Sequence, residues 1–516
     1  HNVGLGHRMY CSYGNECDLT MPEILDYYGQ DEGTRVIMMQ TESFKDPAAF
    51  LDVASRITPH TPILAIKAGR TKEGSVAVSS HTGTLVDQSR MASAMYEKAG
   101  VVEFHDTDEM IKAAIAFSTQ EPPRGRRIGM ITNTGGPGIQ AVDVAVGSGL
   151  ELATWSKAGR AKLEESLYAE ASLGNPVDVV ATANEDHYHA AVETLLDEDG
   201  TDMVLVFFVT APFTDTGAIA RRIKEATDAS EKPVVIVVET YSEFYGLIDK
   251  LRESDLPVYE FAEDGARALA AMYRYTALRD REAEAPPEMA VDRGRAEELL
   301  RPHRGRDAYL PQADAFGILA AYGIPVPKVH EISGSEDLEV AAAAVGFPCV
   351  LKVDSADVIH KSDEGGVVLG IENRDVLETE YSAMKGRFSG DAAFILQGQE
   401  PGGREIIIGA TESPGLGHLV MFGLGGIFVE VMEDVAFGLA PLSRPEARAL
   451  MCRIKGFPIL EGVRGEPSTD LEAIEDLLLR VSRMVADNPS ITELDLNPIL
   501  VTPDGACAVD VRLKVR

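Results

Sequence analysis

The feature that most constrains the fold is a repeated alternation of short β-branched runs with helical patterns. In the first part of the chain, predicted buried strands at 34–39 and 61–67 alternate with helical patterns at 46–57 and 106–118. Alternation of this kind builds βαβ units, in which helices cover a parallel sheet. The expected fold class is therefore α/β.

The alternation restarts after a proline-containing basic stretch at 121–127, with further strands predicted at 128–132, 203–209 and 233–238. A charged segment follows, and beyond it helices, strands and glycine-rich loops form another unit. A chain of 516 residues is long enough for about three domains of roughly 150 residues each. The pattern predicts several domains with separate cores.

The charge balance excludes some classes of partner. The chain has 48 Lys and Arg against 82 Asp and Glu, a formal net charge of −34. Such a field repels nucleic acid and anionic membranes, so neither is expected as a partner. The sequence has no CxxC pair among its five cysteines and no apolar run of about 18 residues. We expect a cytoplasmic protein without a zinc site.

A histidine at position 81 is flanked by Ser79, Ser80 and Thr82, with Gly83 following, just before a helical pattern. Hydroxyl residues and glycine ahead of a helix can form an anion site, because the N–H groups of the first turn lack partners. An imidazole there could carry a phosphoryl group. Taken alone, however, these residues fit a loop histidine beside an N-cap at least as well.

A second possible anion site follows the strand predicted at 128–132. There the glycine turn from Asn133 to Gly138 leads into a helix predicted from Ile139. The order strand, glycine turn, helix is typical of phosphate-binding helix starts. A tight βα turn without a ligand is the alternative, and the residues alone do not separate the two.

Near the C-terminus, Lys352 lies on a predicted strand and precedes a glycine pair, Gly365 and Gly366. A lysine charge and loop N–H groups can together hold nucleotide phosphates. Asn497 and Asp510 follow neighbouring strands and offer the oxygen ligands that Mg²⁺ takes. A turn at Asn497 and a solvated strand end at Asp510 are the alternatives.

Two further residues have two explanations each. His360 lies among small and charged residues and could be catalytic or a solvated loop histidine. Glu42 could hydrogen-bond an imidazole and fix its tautomer, or simply favour the dipole at the start of a helix.

In combination, these segments resemble the NDP-forming acyl-CoA synthetase family, of the ADP-forming acetate–CoA ligase type. The resemblance extends over essentially the whole chain. It is carried, in the order of the family, by Val3 to Asn15, Glu42 to Asp46, Lys67 to Arg70, Ser80 to Gly83, Thr132 to Gly138, Asn175 to Asp178, Tyr322 to Pro325, His360 to Gly366, Gly423 to Gly426 and Asp495 to Pro498.

The resemblance implies a domain plan of two flavodoxin-like domains followed by an ATP-grasp module. The first flavodoxin-like domain, which would hold the phosphohistidine, is expected at 1–122, without its opening strand. The second is expected at 123–282, a linker at 283–303 and the ATP-grasp domain at 304–516.

The resemblance also implies roles for individual residues. It assigns His81 as the phosphohistidine, Glu42 as its support and His360 as a relay that carries phosphate between distant sites. The second helix start would bind the phosphoryl group. The expected cofactor-binding residues are Lys352, Gly365, Gly366, Glu400, Gly135, Gly136 and Gly138, and the expected metal ligands are Asn497 and Asp510.

The implied reaction converts a carboxylic acid, ATP and CoA into acyl-CoA, ADP and phosphate, with Mg²⁺ as the metal. The family's CoA-binding domain would lie ahead of the first residue, so either the chain is a fragment or a separate chain supplies CoA binding. We expect a homo-oligomer (a dimer) or a partner that supplies the CoA-binding domain. One alternative is a non-catalytic homologue that senses nucleotide or acyl-CoA. A carboxylate–amine ligase is a weaker alternative, because it would leave His81 and the flavodoxin-like domains without a purpose.

Overall fold

A computed structural model describes residues 5–14, 16–70, 85–210, 215–239, 256–282, 284–354, 365–388, 392–426, 434–463 and 465–516. The chain divides into two compact units, His1–Arg281 and Glu282–Arg516. In the described part of the chain, no helix combines the length and the apolar character needed to cross a membrane.

The first unit contains two parallel sheets. The first sheet has the strand order β1-β2-β3 and the second the order β5-β4-β7-β8-β9, with β6 paired to β4. The strands are β1 (Ile37–Thr41), β2 (Ile63–Lys67), β3 (Val102–Phe104), β4 (Arg127–Thr132), β5 (Glu151–Leu152), β6 (Val177–Asp178), β7 (Met203–Val209), β8 (Val234–Glu239) and β9 (Val258–Tyr259).

The helices of the first unit connect these strands, as the alternation in the sequence predicts. They are α1 (Met21–Gly29), α2 (Pro47–Ile57), α3 (Leu85–Lys98), α4 (Thr107–Thr119), α5 (Gly135–Gly147), α6 (Lys157–Ser166), α7 (Glu185–Asp197), α8 (Thr216–Thr227) and α9 (Ala262–Arg279).

Local chemistry explains why helix α2 begins and packs where it does. The Asp46 carboxylate accepts a hydrogen bond from the Ala49 amide, which caps the first turn, and Pro47 occupies the first helical position. Phe50, Ala54 and Ile57 are buried, because residues three and four apart share one face. Strand β2 is buried along its whole length, as expected for a strand covered by helices on both faces.

Helix α9 joins the two sheets of the first unit into one core. It contributes Tyr275, which packs edge-on against Phe117 of α4 and donates a hydrogen bond to the Thr58 carbonyl. Strand β9 is tied to α4 by Tyr259, whose hydroxyl donates to the Lys112 carbonyl. The two sheets therefore share one continuous packed core.

The second unit contains two sheets in which every described strand pairing is antiparallel. One has the order β10-β20-β18-β15-β16-β17, with β19 paired to β18, and the other has the order β11-β14-β12-β13. The strands are β10 (Ala308–Tyr309), β11 (Val329–Ile332), β12 (Cys349–Asp354), β13 (Val367–Ile371), β14 (Ala393–Gly398), β15 (Arg404–Ser413), β16 (Gly417–Leu424), β17 (Val435–Leu439), β18 (Ile491–Thr502), β19 (Gly505–Ala508) and β20 (Arg512–Val515).

Helices cover these sheets and complete two hydrophobic cores. They are α10 (Arg293–Leu300), α11 (Gln312–Ala321), α12 (Leu338–Val345), α13 (Arg374–Arg387), α14 (Arg444–Cys452), α15 (Phe457–Glu461) and α16 (Leu471–Asp487). The buried stripe of α16 and the inner faces of β15, β16 and β18 form the centre of one core, and α12 and α13 pack on β12 and β14 to form the other.

Candidate functional site

The carboxyl edge of the first sheet brings Glu42 and Lys67 together. Glu42 follows β1, and Lys67 is the last residue of β2, paired in register with Thr41. The Lys67 ammonium donates to the carbonyl oxygens of Glu42, at 2.7 Å, and Ala68, at 2.6 Å. The Glu42 side chain is exposed. The sheet therefore presents this carboxylate at the edge where parallel strands of α/β proteins bind ligands.

Further hydrogen bonds fix the backbone around this pair. The Thr41 hydroxyl donates to the Ser43 carbonyl at 2.8 Å, and the Ala68 amide donates to the Thr41 carbonyl at 2.9 Å. Burial lowers the pKa of Lys67, and the Glu42 carboxylate raises it in part. His81 lies outside the described residues, which end at Arg70 after β2 and resume at Leu85, the start of α3.

The glycine turn after β4 is part of a helix rather than a loop before one. The sequence predicts a helix from Ile139, but α5 begins at Gly135, so this boundary was wrong by four residues. The reason is that the first four N–H groups of a helix have no intrahelical partner, so Pro137 loses no hydrogen bond there. Gly135, Gly136 and Gly138 thus form the first turn.

The first turn of this helix has open space beside two of its glycines. The N-cap residue Thr134 makes no capping hydrogen bond with its side chain. Among the described residues, a Cβ added at Gly135 or Gly136 would meet no atom within 4 Å, whereas one at Gly138 would contact the Thr132 methyl at 3.4 Å. The Asn133 amide bonds the backbone of Val209 in β7, which ties the turn to the sheet. The open first turn can accept an anion.

A strained residue lies next to this turn, and sequence reasoning missed it. Val180 has φ of +66°, a conformation that β-branched residues rarely adopt. Its amide donates to the Asp178 carboxylate at 2.9 Å, and the Val179 amide donates to the Thr132 carbonyl at 2.8 Å. Strain of this kind clusters at functional sites. A valine gives no sequence signal for such a backbone.

In the second unit, Lys352 is almost completely buried on β12, with 6% of its surface exposed. Its ammonium donates to the Val509 carbonyl at 2.7 Å and lies 3.0 Å from Asp510 Oδ1. Asp510 Oδ1 also accepts from Gln312 Nε2 at 2.7 Å. The structure therefore brings two of the predicted residues, Lys352 and Asp510, into direct contact.

Asn497 lies beside Asp510 because of the pairing between β18 and β19. Ile499 pairs with Ala508, and the Val509 amide donates to the Pro498 carbonyl at 3.2 Å, which places the next residues on each side opposite each other. The pairing of β18 with β15 shifts register at this point, a β-bulge that leaves Asn497 exposed. Bulges often redirect a side chain next to an active site.

Gln312 and Asp495 belong to this region, and the sequence did not assign them a role. Gln312 is buried, and its amide oxygen has no hydrogen-bond partner among the described residues. Burial raises the pKa of Asp495, Asp510 adds to the increase, and Arg512 opposes it. Gln312 is separated from Asp510 by 198 positions, so only the fold could reveal their contact.

The remaining predicted residues of the second unit are not part of the contact between Lys352 and Asp510. Gly365 has φ of +67° and its carbonyl accepts from Arg387, while the Gly366 carbonyl pairs with the Val353 amide beside Lys352. Glu400 lies near Cys507, whose pKa is raised to about 12 by burial and by that carboxylate. His360 lies outside the described residues.

Two parts of the chain match known protein families. Residues 1–117 match the succinyl-CoA ligase like flavodoxin domain, and residues 301–515 match an ATP-grasp domain. The predicted fold class, flavodoxin-like domains followed by an ATP-grasp module, is thereby confirmed. The finer boundaries at 122, 282 and 303 stay predictions.

Sequence similarity to ADP-forming CoA ligases extends over nearly the whole of this chain. The chain is 31% identical over 99% of its length to 74% of the acetate–CoA ligase (ADP-forming) I of Archaeoglobus fulgidus. It is 30% identical, over 99% of its length, to 74% of the 4-hydroxybutyrate–CoA ligase (ADP-forming) of Nitrosopumilus maritimus. Over 42% of its length it is 36% identical to 97% of the acetate–CoA ligase (ADP-forming) I subunit beta of Pyrococcus furiosus. The chain belongs to the ADP-forming acyl-CoA synthetases, a family of acid–thiol ligases, as its motifs predict.

Proposed function

We propose that the chain interconverts a carboxylic acid, ATP and CoA with acyl-CoA, ADP and phosphate, through phosphohistidine and acyl phosphate intermediates. The observation that carries the proposal is the contact of the buried Lys352 with Asp510, beside Asn497, in the ATP-grasp part of the chain. A desolvated lysine next to oxygen ligands supports the binding of a nucleotide phosphate together with its metal ion.

The donor atoms at this edge fit Mg²⁺. Asp510 supplies a carboxylate and Asn497 an amide oxygen, and Mg²⁺ usually takes one or two carboxylates together with substrate phosphates. Bound Mg²⁺ would neutralise phosphate charge. Gln312 and Lys352 both hold Asp510 by Oδ1, which fixes the orientation of the carboxylate. The Lys352 ammonium would bind phosphate in surroundings of low polarity, where the attraction between opposite charges is stronger than in water.

The group transfers balance with two histidines as carriers. His360 would take the γ-phosphoryl group of ATP, forming an N–P bond as the bond to ADP breaks, and His81 would receive it in the same way. A substrate carboxylate oxygen then displaces His81 to give an acyl phosphate. The CoA thiolate attacks the acyl carbon and releases phosphate. Each phosphoryl transfer depends on positioning and charge stabilisation.

In the first unit, residues at the two carboxyl edges would serve the His81 steps. The Glu42 carboxylate would accept the imidazole N–H, which fixes the tautomer and leaves the other nitrogen as the nucleophile. The first turn of α5, at Gly135 and Gly136, would donate N–H groups to the phosphoryl oxygens.

The same proposal includes the assembly. The chain covers about three quarters of the Archaeoglobus relative, and the Pyrococcus relative is a separate subunit by name. We propose that the residues named above carry the phosphorylation of histidine, and that this step can be measured on the chain without CoA.

Labelling of the protein tests this proposal. The chain is incubated with Mg²⁺ and ATP that carries a radioactive γ-phosphate, without acid or CoA. We expect a label that is stable in base and labile in acid, the behaviour of phosphohistidine. His360→Ala should lose the label, His81→Ala should keep only the label that His360 itself holds, and the control His330→Ala, on β11, should label like the wild type. A wild type without label, or His81→Ala and His360→Ala variants that label as well as the wild type, contradicts the proposal.

A further inference from the structure

The buried Lys67 has no role in the function proposed above. It has 4% of its surface exposed, although burying an ammonium group is costly unless it is well bonded. Its bonds go to the carbonyl oxygens of Glu42 and Ala68. An apolar residue would fill this position at the end of β2 at lower cost, so the ammonium has a purpose that packing does not supply.

The two carbonyls belong to the segments that leave β1 and β2. Because Thr41 and Lys67 are register partners, these segments start side by side at the same edge of the sheet. The ammonium links them directly, and the Thr41 hydroxyl holds the next carbonyl, that of Ser43. The buried side chains of Lys67 and Thr41 therefore hold the backbone around Glu42, while the Glu42 carboxylate itself is exposed.

Another lysine in the same unit makes the same bonds without a site beside it. Lys232 precedes β8 at the opposite, amino-terminal edge of the second sheet, and its ammonium donates to the carbonyls of Leu196, at 2.6 Å, and Glu198, at 2.9 Å. Burial lowers its pKa, as it does for Lys67. Lys232 therefore measures what such a lysine contributes to structure alone.

We propose that Lys67 is a positioning residue, which holds the backbone of Glu42 so that the carboxylate meets the imidazole of the phosphohistidine. The inference rests on the proposed function. Without the ammonium, two carbonyls that face each other across neighbouring strand ends lose their common donor, and the segment after β1 shifts. A displacement of about 1 Å at a reacting group costs on the order of a hundredfold in rate.

The test is a double-mutant cycle on the rate at which label from γ-phosphate-labelled ATP reaches His81 in a single turnover. The variants are Lys67→Met, Glu42→Gln and the double variant, with Lys232→Met as the matched control. We expect Lys67→Met to lower the rate by about tenfold to a hundredfold. The double variant should be no slower than Glu42→Gln, because Lys67 acts only through Glu42. Lys232→Met should label at the wild-type rate.

Lys67→Arg keeps a charged donor and should recover part of the rate, and equilibrium binding of ADP should be unchanged in every variant. The thermal melting temperatures of Lys67→Met and Lys232→Met give the structural cost of each. The inference is overturned if Lys67→Met labels normally, if its effect adds to that of Glu42→Gln, or if Lys232→Met slows labelling equally. If the wild type is labelled and Glu42→Gln is labelled equally fast, this inference alone is refuted. If the wild type is never labelled, the proposed function is refuted as well.

Discussion

The two buried lysines, Lys67 and Lys352, differ in what their ammonium groups contact. Both lysines are almost completely buried, and the ammonium group of each donates a hydrogen bond to a backbone carbonyl at 2.7 Å. The second acceptor of Lys67 is another carbonyl, that of Ala68, whereas Lys352 contacts the Asp510 carboxylate. A lysine bonded only to main chain can act as a fixed support. A lysine bonded to a carboxylate that is also a proposed metal ligand can exchange that carboxylate for phosphate when nucleotide and metal ion bind.

The largest expected effect comes from Lys352→Met. The substitution removes the charge proposed to hold the nucleotide phosphate, and the loss of one preorganised electrostatic donor costs roughly a hundredfold to a thousandfold in rate. We expect histidine labelling to fall by that factor and ADP binding, measured by calorimetry, to weaken. Lys67→Met should leave ADP binding unchanged. If both variants bind ADP equally well, the distinction between the two lysines is wrong.

The next effect concerns Gln312, which we expect to orient Asp510. In Gln312→Met the amide donor to Asp510 Oδ1 is lost, and losing a partner of a metal ligand typically costs about tenfold to a hundredfold in metal affinity. Binding of Mn²⁺ in the presence of ADP, followed by electron paramagnetic resonance, should weaken accordingly. Gln397→Met is the matched control, because that buried amide donates to the Val509 carbonyl instead. Equal losses in both variants would mean that the effect is not specific to Asp510.

A smaller effect is expected at the helix start in the first unit. Gly136→Ala places a methyl group where no atom of the described part of the chain lies within 4 Å, in the space proposed for the phosphoryl group. Labelling should slow by about tenfold, as expected for the imperfect positioning of a reacting group. Gly147→Ala, in equally open space at the other end of α5, is the control. Both variants should keep the wild-type melting temperature or exceed it, because alanine favours helix. Equal labelling rates in both would remove α5 from the site.

The smallest effect is on the free energy of unfolding, at Asp495 beside the residues proposed to bind the metal ion. Burial raises the pKa of Asp495, so the folded state binds the carboxyl proton more tightly than the unfolded state does. That contribution is fully present below the unfolded pKa, near 3.9, and is lost as the pH rises through the folded pKa. Asp495→Asn should therefore be slightly more stable than wild type in urea at pH 7, with the gain shrinking towards about pH 4. The exposed Asp504→Asn should show no such gain.

The sequence predicts best what depends on local pattern. The apolar runs that became β2, β7 and β8 were confirmed close to their predicted bounds, because buried parallel strands are continuous apolar segments. Glu42 and Lys352 were placed on the correct strand or strand end for the same reason. Asn497 and Asp510 were predicted at neighbouring strand ends. Asp510 does follow β19, but for Asn497 the prediction was wrong, because this residue lies inside β18 at the β-bulge.

What the sequence does not predict depends on distant contacts or on backbone geometry. Helix α5 starts at Gly135 because the N–H groups of a first turn need no intrahelical hydrogen-bond acceptor, so glycine and proline can lie there. The composition of the segment does not show this. The proposed role of Gln312 rests on a hydrogen bond across 198 positions, and that of Lys67 on its bond to the Glu42 carbonyl at the end of the neighbouring strand. The conformation of Val180 runs against the preference of its own side chain. These features require the fold.

The most direct measurement of the central claim, that phosphate is carried between nucleotide and acid on histidine, is the location and reversal of the label. The protein is phosphorylated with ATP and Mg²⁺, separated from nucleotide, quenched in base and examined by mass spectrometry with electron-transfer fragmentation, before and after addition of ADP. The account predicts phosphate on His81 that disappears on addition of ADP, with formation of ATP. Phosphate that is absent from His81, or that ADP does not remove, would contradict it.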